Sequence, residues 1–302
     1  MGEVSVIVVD WGTSNFRLWA LEADGTIAAA SDGPFGMLRL KRCDFGSVLE
    51  DSIAKIGVGP DVPAVICGMA GAAQGWCEAP YLQTPTPLDA LGTGTVKVQG
   101  IDRDVHILPG IKKLSPANVM RGEETQIAGL LQRHSDFSGT VCLPGTHTKW
   151  VRVADQTIYD FETCMTGEKF AFFSKTSVLS HSMIVDGWSN VAFSEAVSEA
   201  LSEPNVVPRR LFGIRAEMLI GDQSGAEARA RLSGLLIGQE LAAVRPYWEG
   251  QAVTLIGASA LCELYLRAFD QIGVAAHALN NDAMTISGLL RAHHLQTESK
   301  NA

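Results

Sequence analysis

Near the start of the chain an apolar run, Val6 to Val9, ends on Asp10 and meets Trp11, Gly12, Thr13 and Ser14 at once. A second β-rich run follows, Asn15 to Leu21. Asp24-Gly25 then marks another turn, and Thr26 to Ala29 supplies a third strand. Connections this short between strand-forming runs predict antiparallel pairing. The first turn carries an acid, a glycine and two hydroxyls. Glycine lets a phosphate approach backbone N–H groups, hydroxyls donate to phosphate oxygens, and a carboxylate holds Mg²⁺ directly or through water. The same residue types are common turn formers, so the stretch taken alone fits an ordinary hairpin equally well.

The chain repeats the pattern. Val141 to Leu143 leads into Gly145-Thr146, a strand-like run from Lys149 to Val153 follows, and Asp155-Gln156-Thr157-Ile158 echoes Asp24-Gly25-Thr26-Ile27. Two such hairpins can clamp the phosphates of a nucleotide from two sides. A polar break at Ser135 to Gly139 separates them, which divides the 302 residues into 1–135 and 136–302. Each half has an ordinary domain size, and 46% hydrophobic residues suffice for two cores.

A net charge of −9 argues against a general nucleic-acid or anionic-membrane surface. No apolar stretch is long enough to span a bilayer, and the first one stops at Asp10. The six cysteines form no CxxC pair, and Cys67, Cys142 and Cys262 sit inside apolar runs. They read as reduced thiols of a cytoplasmic protein. Seven histidines show no metal-ligand spacing. There is no GxxxxGK[ST] phosphate loop.

Several segments between and beyond the hairpins are candidates for function. Pro63 to Cys67 reads as a buried strand, followed by Gly68, Met69, Gly71, Gln74 and Trp76 in a segment rich in small residues. Backbone there can sit close to a ligand; Gln74 offers a hydrogen bond and Trp76 a wall, although a connector with a core tryptophan explains the same residues. Ile111 to Met120 reads as a loop, with Lys112 and Lys113 as solvated charge. Arg121-Gly122-Glu123-Glu124 opens a helix whose buried face is Ile127, Leu130 and Leu131. Acids in a first turn complement the helix dipole, and a general base is the functional alternative. Gly221-Asp222-Gln223 reads as a helix cap. Val253 to Ile256 is a strand that turns through Gly257, Ala258 and Ser259 into a helix, an arrangement open to close ligand approach. Asn280-Asn281-Asp282 caps a last helix, Ala283 to Leu295, with a frayed tail after it.

DWGTSNFR and LPGTHTKWV resemble the two phosphate loops of the sugar kinase, Hsp70 and actin superfamily. With ICGMAGAAQGW, PGIKKLSPANVMRGEETQ and the segment from Thr163 to Phe173, the ordered set resembles the 2-dehydro-3-deoxygalactonokinase family. The resemblance implies an α/β fold of the ribonuclease H-like type, with two similar domains and a nucleotide cleft between them. It implies ATP-dependent phosphorylation, with Mg²⁺, of the 6-hydroxyl of 2-dehydro-3-deoxy-D-galactonate in galactonate catabolism. On that footing Asp10 is the metal-linked acid and Glu123 or Glu124 the base, with Glu123 favoured because Ile127 lies one turn beyond it. Gly12, Thr13, Ser14, Arg17, Gly145, Thr146, His147, Thr148 and Lys149 fall to the phosphates, and Gly257, Ala258 and Ser259 to the adenosine side. Gly68, Met69, Gly71, Gln74, Trp76 and Arg121 fall to the sugar acid; Arg17 and Arg121 both suit a phosphate or a carboxylate. His147 is open to a turn-supporting role as well. The second loop, Pro144 to Lys149, has no acid, whereas many related sugar kinases keep their base there. A phosphatase of the same fold and a non-catalytic sugar sensor are the alternatives, and the sequence leaves a homodimer open.

Overall fold

The computed structural model describes residues 2–183 and 187–301. The chain folds as two compact units. One comprises Met1–Ser138, Val153–Asp160 and Asn280–Ala302; the other comprises Gly139–Arg152 and Phe161–Leu279.

In the first unit β1 (Val4–Trp11), β2 (Phe16–Glu22) and β3 (Ile27–Gly33) form the expected antiparallel meander. Gly12 N–H closes the first turn on Asn15 O at 2.8 Å, and Gly25 takes the second at a φ of +85°. β4 (Ala64–Gly68) pairs parallel with β1, and β5 (Val105–Ile107) parallel with β4, so the order is β3-β2-β1-β4-β5 with Val96–Lys97 at the edge. All five β4 residues are buried, as a central strand covered on both faces requires. The core joins Ile7, Val9 and Trp11 to Phe45, Leu49 and Ile53 of the Asp44–Lys55 helix. Trp11 meets Phe16 and Phe45 at centroid distances of 4.7 and 4.8 Å.

The second unit repeats the plan. β6 (Gly139–Leu143), β7 (Thr148–Ala154) and β8 (Thr157–Cys164) are neighbours, β9 (Val253–Gly257) runs parallel to β6, and β10 (Ala276–Asn280) lies beyond β9. The order β8-β7-β6-β9-β10 matches β3-β2-β1-β4-β5 position for position. β7 and β8 join through Asp155 and Gln156 at φ +46° and +57°, the geometry of a two-residue hairpin turn. Residues 153–160 at this hairpin's tip count with the first unit, where Thr86–Pro87 pairs with Thr157 and Ile158. Helices Asn190–Ser202 and Gly225–Ala243 pack closely because Gly234 and Gly238 face backbone. A methyl on either would come 2.4 or 2.6 Å from a carbonyl of the other helix. Trp150, Phe193, Tyr265 and Phe269 anchor the core beneath. Among the described residues no helix is long and apolar enough to cross a membrane.

Three segments differ from the sequence expectation. Residues 111–120 form a hairpin, Gly110–Leu114 with Ala117–Met120, and Lys113 is buried with its ammonium 2.9 Å from Asp160. A lysine stem buried beside an acid leaves no trace in a short polar sequence. The helix after Gly221 is capped by Ser224, in a reciprocal box with Glu227. The last helix runs Asn281–Asn301, past the expected end at Leu295, and belongs to the first unit, so a single cut at 135–139 does not divide the chain.

That helix crosses the Glu123–Arg133 helix backbone to backbone. A methyl on Gly288 would lie 1.9 Å from Thr125 O, and one on Gly129 would lie 1.8 Å from Met284 O. Gly288→Ala should therefore force the two helices apart. We expect a loss of about 1–3 kcal/mol, larger than the gain of about 1 kcal/mol that alanine brings to an isolated helix. Thermal unfolding reads the balance, and a melting temperature equal to or above the wild type would contradict the crossing.

Candidate active site

Strand pairing places Asp10. It sits at the end of β1, opposite Arg17 on β2 and level with Cys67 on β4. Arg17 Nη2 donates to Asp10 Oδ2, and Nη1 donates to Asp282 Oδ1 in the first turn of the last helix. Burial works against the Arg17 charge, yet Asp10, followed by Asp282 and Cys67, together more than offset it, so the guanidinium lies above its ordinary range. Asp10 Oδ1 faces the Cys67 thiol at 3.9 Å. Burial, then the charges of Asp10 and Glu124, push that thiol well above its usual range, so it stays protonated.

Gly68 follows with a φ of +87°, and a methyl there would lie 2.6 Å from Trp11 O. Only glycine fits this position beside the Asp10 turn. A methyl on Gly122, which itself has φ +112°, would stand 3.5 Å from Gly68 Cα. The small-residue segment and the Arg121–Glu124 helix start are thus adjacent. Both glutamates fold back on the backbone. Arg121 N–H donates to Glu123 Oε2 at 3.0 Å, and Gly122 N–H to both Glu124 oxygens at 2.7 and 2.9 Å. Glu124 is fully buried, and Glu123 only half. Burial, then the charge of Glu123, raise the Glu124 carboxyl to about 7. Glu124 is therefore not an acid of the helix surface. Arg121 stacks on Tyr81 at 4.2 Å and donates to Ala79 O at 2.8 Å, while its buried Nη1, beside Gly71, has no hydrogen-bond partner.

The first unit accordingly gathers Asp10, Arg17, Gly68, Gly71, Arg121, Glu123 and Glu124. The Gly12-Thr13-Ser14 turn lies against the segment after β3, with Met37 N–H on Gly12 O and Leu38 N–H on Thr13 O, both at 3.1 Å. Thr13 and Ser14 are exposed. Met69 and Trp76 are half-buried; the Trp76 ring stacks on Phe45 at 6.1 Å as part of the core, and Gln74 is exposed.

The second unit gathers a different set. A cavity of about 570 Å³ is lined by Gly145 and Thr146 of the second turn, by Gly167, Leu236 and Tyr265, and by Ala258 of the turn after β9. Thr146 and His147 are exposed, and the His147 imidazole meets the Glu168 carboxylate. A methyl on Gly167 would fall 2.2 Å from Gly145 O, which fixes the loop against the next helix. Gly257 and Ser259 flank Ala258, and Ser259 is exposed. The structure turns two sequence candidates inward. Thr148 is 1% exposed with its hydroxyl 3.2 Å from Tyr265 Oη, and Lys149 is 4% exposed with Nζ 3.4 Å from His147 O. Period-two alternation past the turn buries one of them, and the start of β7 takes both.

Sequence reasoning missed Asp282, read as a cap; Asn280 Oδ1 makes the cap to Ala283 N–H at 2.8 Å, which frees Asp282 for Arg17. It also missed Glu240. An acid inside the apolar run Leu235 to Ala243 is the signal that could have found it.

Comparison with known proteins gives a consistent result. Residues 10–292 match the family described as 2-keto-3-deoxy-galactonokinase. A Rhizobium meliloti protein named a probable 2-dehydro-3-deoxygalactonokinase is 39% identical over 94% of this chain and 95% of its own. The Escherichia coli 2-dehydro-3-deoxygalactonokinase is 32% identical over 95% and 97%. A crystal structure of a Sinorhizobium meliloti protein provisionally given the same name superposes with a TM-score of 0.90, at 38% identity, covering 95% of this chain and 97% of that one. These relatives carry a kinase's name, which leaves the phosphatase and sensor alternatives without support.

The buried acids set a pH dependence. Glu124 and Glu240 both rise from 4.5 to about 7 on folding, chiefly through burial. Between those values the folded state holds protons that the unfolded chain has released, so stability falls as pH rises, by up to about 1.4 kcal/mol per unit for each group. Above about 7 the slope from these groups ends. Thermal unfolding from pH 4.5 to 8 should show this decline, and Glu124→Gln should flatten it. An unchanged slope in that variant would contradict the burial of a titrating Glu124.

Proposed function

The chain belongs to the 2-keto-3-deoxy-galactonokinase family, and from that premise we propose that it transfers the γ-phosphoryl group of ATP to the 6-hydroxyl of 2-dehydro-3-deoxy-D-galactonate. The products are ADP and the 6-phosphate, and the reaction belongs to galactonate catabolism in the cytoplasm. One observation carries the reading to residues. Gly145 and Thr146 of the second Gly-Thr turn and Ala258 of the turn after β9, far apart in sequence, line one cavity large enough for a nucleoside.

In this mechanism the cavity takes adenosine, and the exposed Thr146 with the Gly145 backbone takes phosphate oxygens. Gly145 has open space where a side chain would be, so a phosphate can approach its amide. Gly12, Thr13 and Ser14 serve the transferred phosphate from the first turn. Asp10 suits Mg²⁺ through Oδ1, the oxygen that Arg17 does not take. When bound, Mg²⁺ neutralises charge on the β- and γ-phosphates. Arg17 holds Asp10 through Oδ2 and so aims the carboxylate. Arg121 takes the carboxylate of the acceptor through Nη1, which lacks a protein partner. Glu123 accepts the proton of the 6-hydroxyl as its oxygen attacks phosphorus. Buried Glu124 holds Gly122 N–H and so sets the helix start that carries Glu123.

A coupled ADP-release assay over a panel of 2-keto-3-deoxy sugar acids tests the activity. Turnover should require the galactonate-derived acid, and equal phosphate release from ATP without any sugar acid would overturn the kinase reading. Loss of a positioned base costs about 10²–10⁴-fold in rate. Glu123→Gln should fall in that range with a nearly unchanged melting temperature, and Glu124→Gln should lose less. Reversed phenotypes would make Glu124 the base.

A further inference from the structure

Resting on the nucleotide reading of this cavity, we infer that Glu240 is its positioning residue, holding the phosphate-loop strand, the next helix start and the Ser259–Gln271 helix in one arrangement. Glu240 lies in the Gly225–Ala243 helix and is 4% exposed. Its Oε1 accepts from Trp150 Nε1 at 2.8 Å and from Tyr265 Oη at 2.9 Å, and its Oε2 accepts from the Thr166 hydroxyl. With its proton on Glu240, Tyr265 accepts from Thr148 at 3.2 Å. Thr148 and Trp150 belong to the strand that leaves the Gly145-Thr146 turn. Thr166 precedes Gly167, which presses on Gly145 O. Thr166 and Tyr265 themselves line the cavity. Two elements of the cavity wall, and the strand that leaves its Gly145-Thr146 turn, therefore converge on one carboxylate.

Such a group is expensive to keep. Burial outweighs the pull of its three donors and leaves the carboxyl near 7, so its ionisation subtracts stability at neutral pH and above. Lys169 is the cation that acts on it, and Cys142 and Cys164 stay protonated, pushed up first by burial and then by Glu240 itself. A well-packed apolar side chain would avoid the penalty. What the carboxylate adds is acceptor capacity on both oxygens. A glutamine matches its shape but must donate from nitrogen, so the Thr166 hydroxyl would have to accept and turn its proton away. Hydrogen bonds to a charged acceptor are also about twice as strong as neutral ones.

The test measures ATP binding by calorimetry, both KM values and the melting temperature at pH 8, on the full chain with and without Glu240→Gln. The expected result is a Kd and KM for ATP raised about five- to twentyfold, given the weaker neutral bonds. The KM for the sugar acid should stay within about twofold, and the melting temperature should not drop, because a buried charge is gone. An unchanged ATP Kd overturns the inference. So does a parallel rise of both KM values with a lower melting temperature, which marks a general structural role. If the variant does not fold, Tyr265→Phe keeps the ring and removes one donor; an ATP Kd equal to wild type in that protein overturns the inference equally. A wild type that binds no ATP overturns the nucleotide reading and the inference together.

Discussion

Arg17 binds two carboxylates at once, and that contact ties the first hairpin to the start of the last helix. Asp10 reaches it across a β-hairpin, from the neighbouring strand. Asp282 reaches it from the start of the last helix, 265 residues along the chain. The same helix then crosses the Glu123–Arg133 helix at Gly129 and Gly288, where no side chain fits. One guanidinium and one glycine crossing thus relate the Gly12-Thr13-Ser14 turn to the helix start with its two glutamates. A charge held between two acids stays ionised, and a backbone-to-backbone crossing leaves little room to slide. Preorganisation of this kind is what phosphoryl transfer asks of a protein, since the chemistry itself needs mainly positioning and charge.

Each unit also hides one carboxylate near 7, Glu124 in the first and Glu240 in the second. Both are buried and both hold backbone or side-chain donors of a candidate site. Both subtract stability at neutral pH. Perturbed acids of this sort concentrate at functional sites, and natural folds keep them where a site requires the acceptor.

The internal repeat was legible because a hairpin is local. Apolar run, Gly-Thr turn, strand and Asp-led turn recur, and β1-β2-β3 and β6-β7-β8 follow them in matching sheet positions. The relation of the Arg121–Glu124 helix start to the Gly68–Gly71 segment was legible only through the family resemblance, since their contact depends on two positive-φ glycines. Long-range pairings were not legible at all. Nothing near Asp282 points to Arg17, and nothing near Lys113 points to Asp160. Periodicity also failed to separate the two glutamates correctly in burial. Ile127 drew attention to Glu123, but Glu124 is the one that turns inward onto Gly122 N–H. The inward turn of Thr148 and Lys149 was invisible for a similar reason, because a loop's last residues and a strand's first ones look alike in sequence.

In the proposed reaction the strand-end carboxylate of Asp10 serves phosphoryl transfer. Asp10→Asn keeps the shape of the side chain and removes its charge, and Arg17 retains Asp282 as a partner. Turnover of ATP with the sugar acid, measured at saturating Mg²⁺ alongside a thermal unfolding curve, tests this directly. Turnover should collapse in a protein that still folds; near-normal turnover at saturating Mg²⁺ would contradict this role of Asp10.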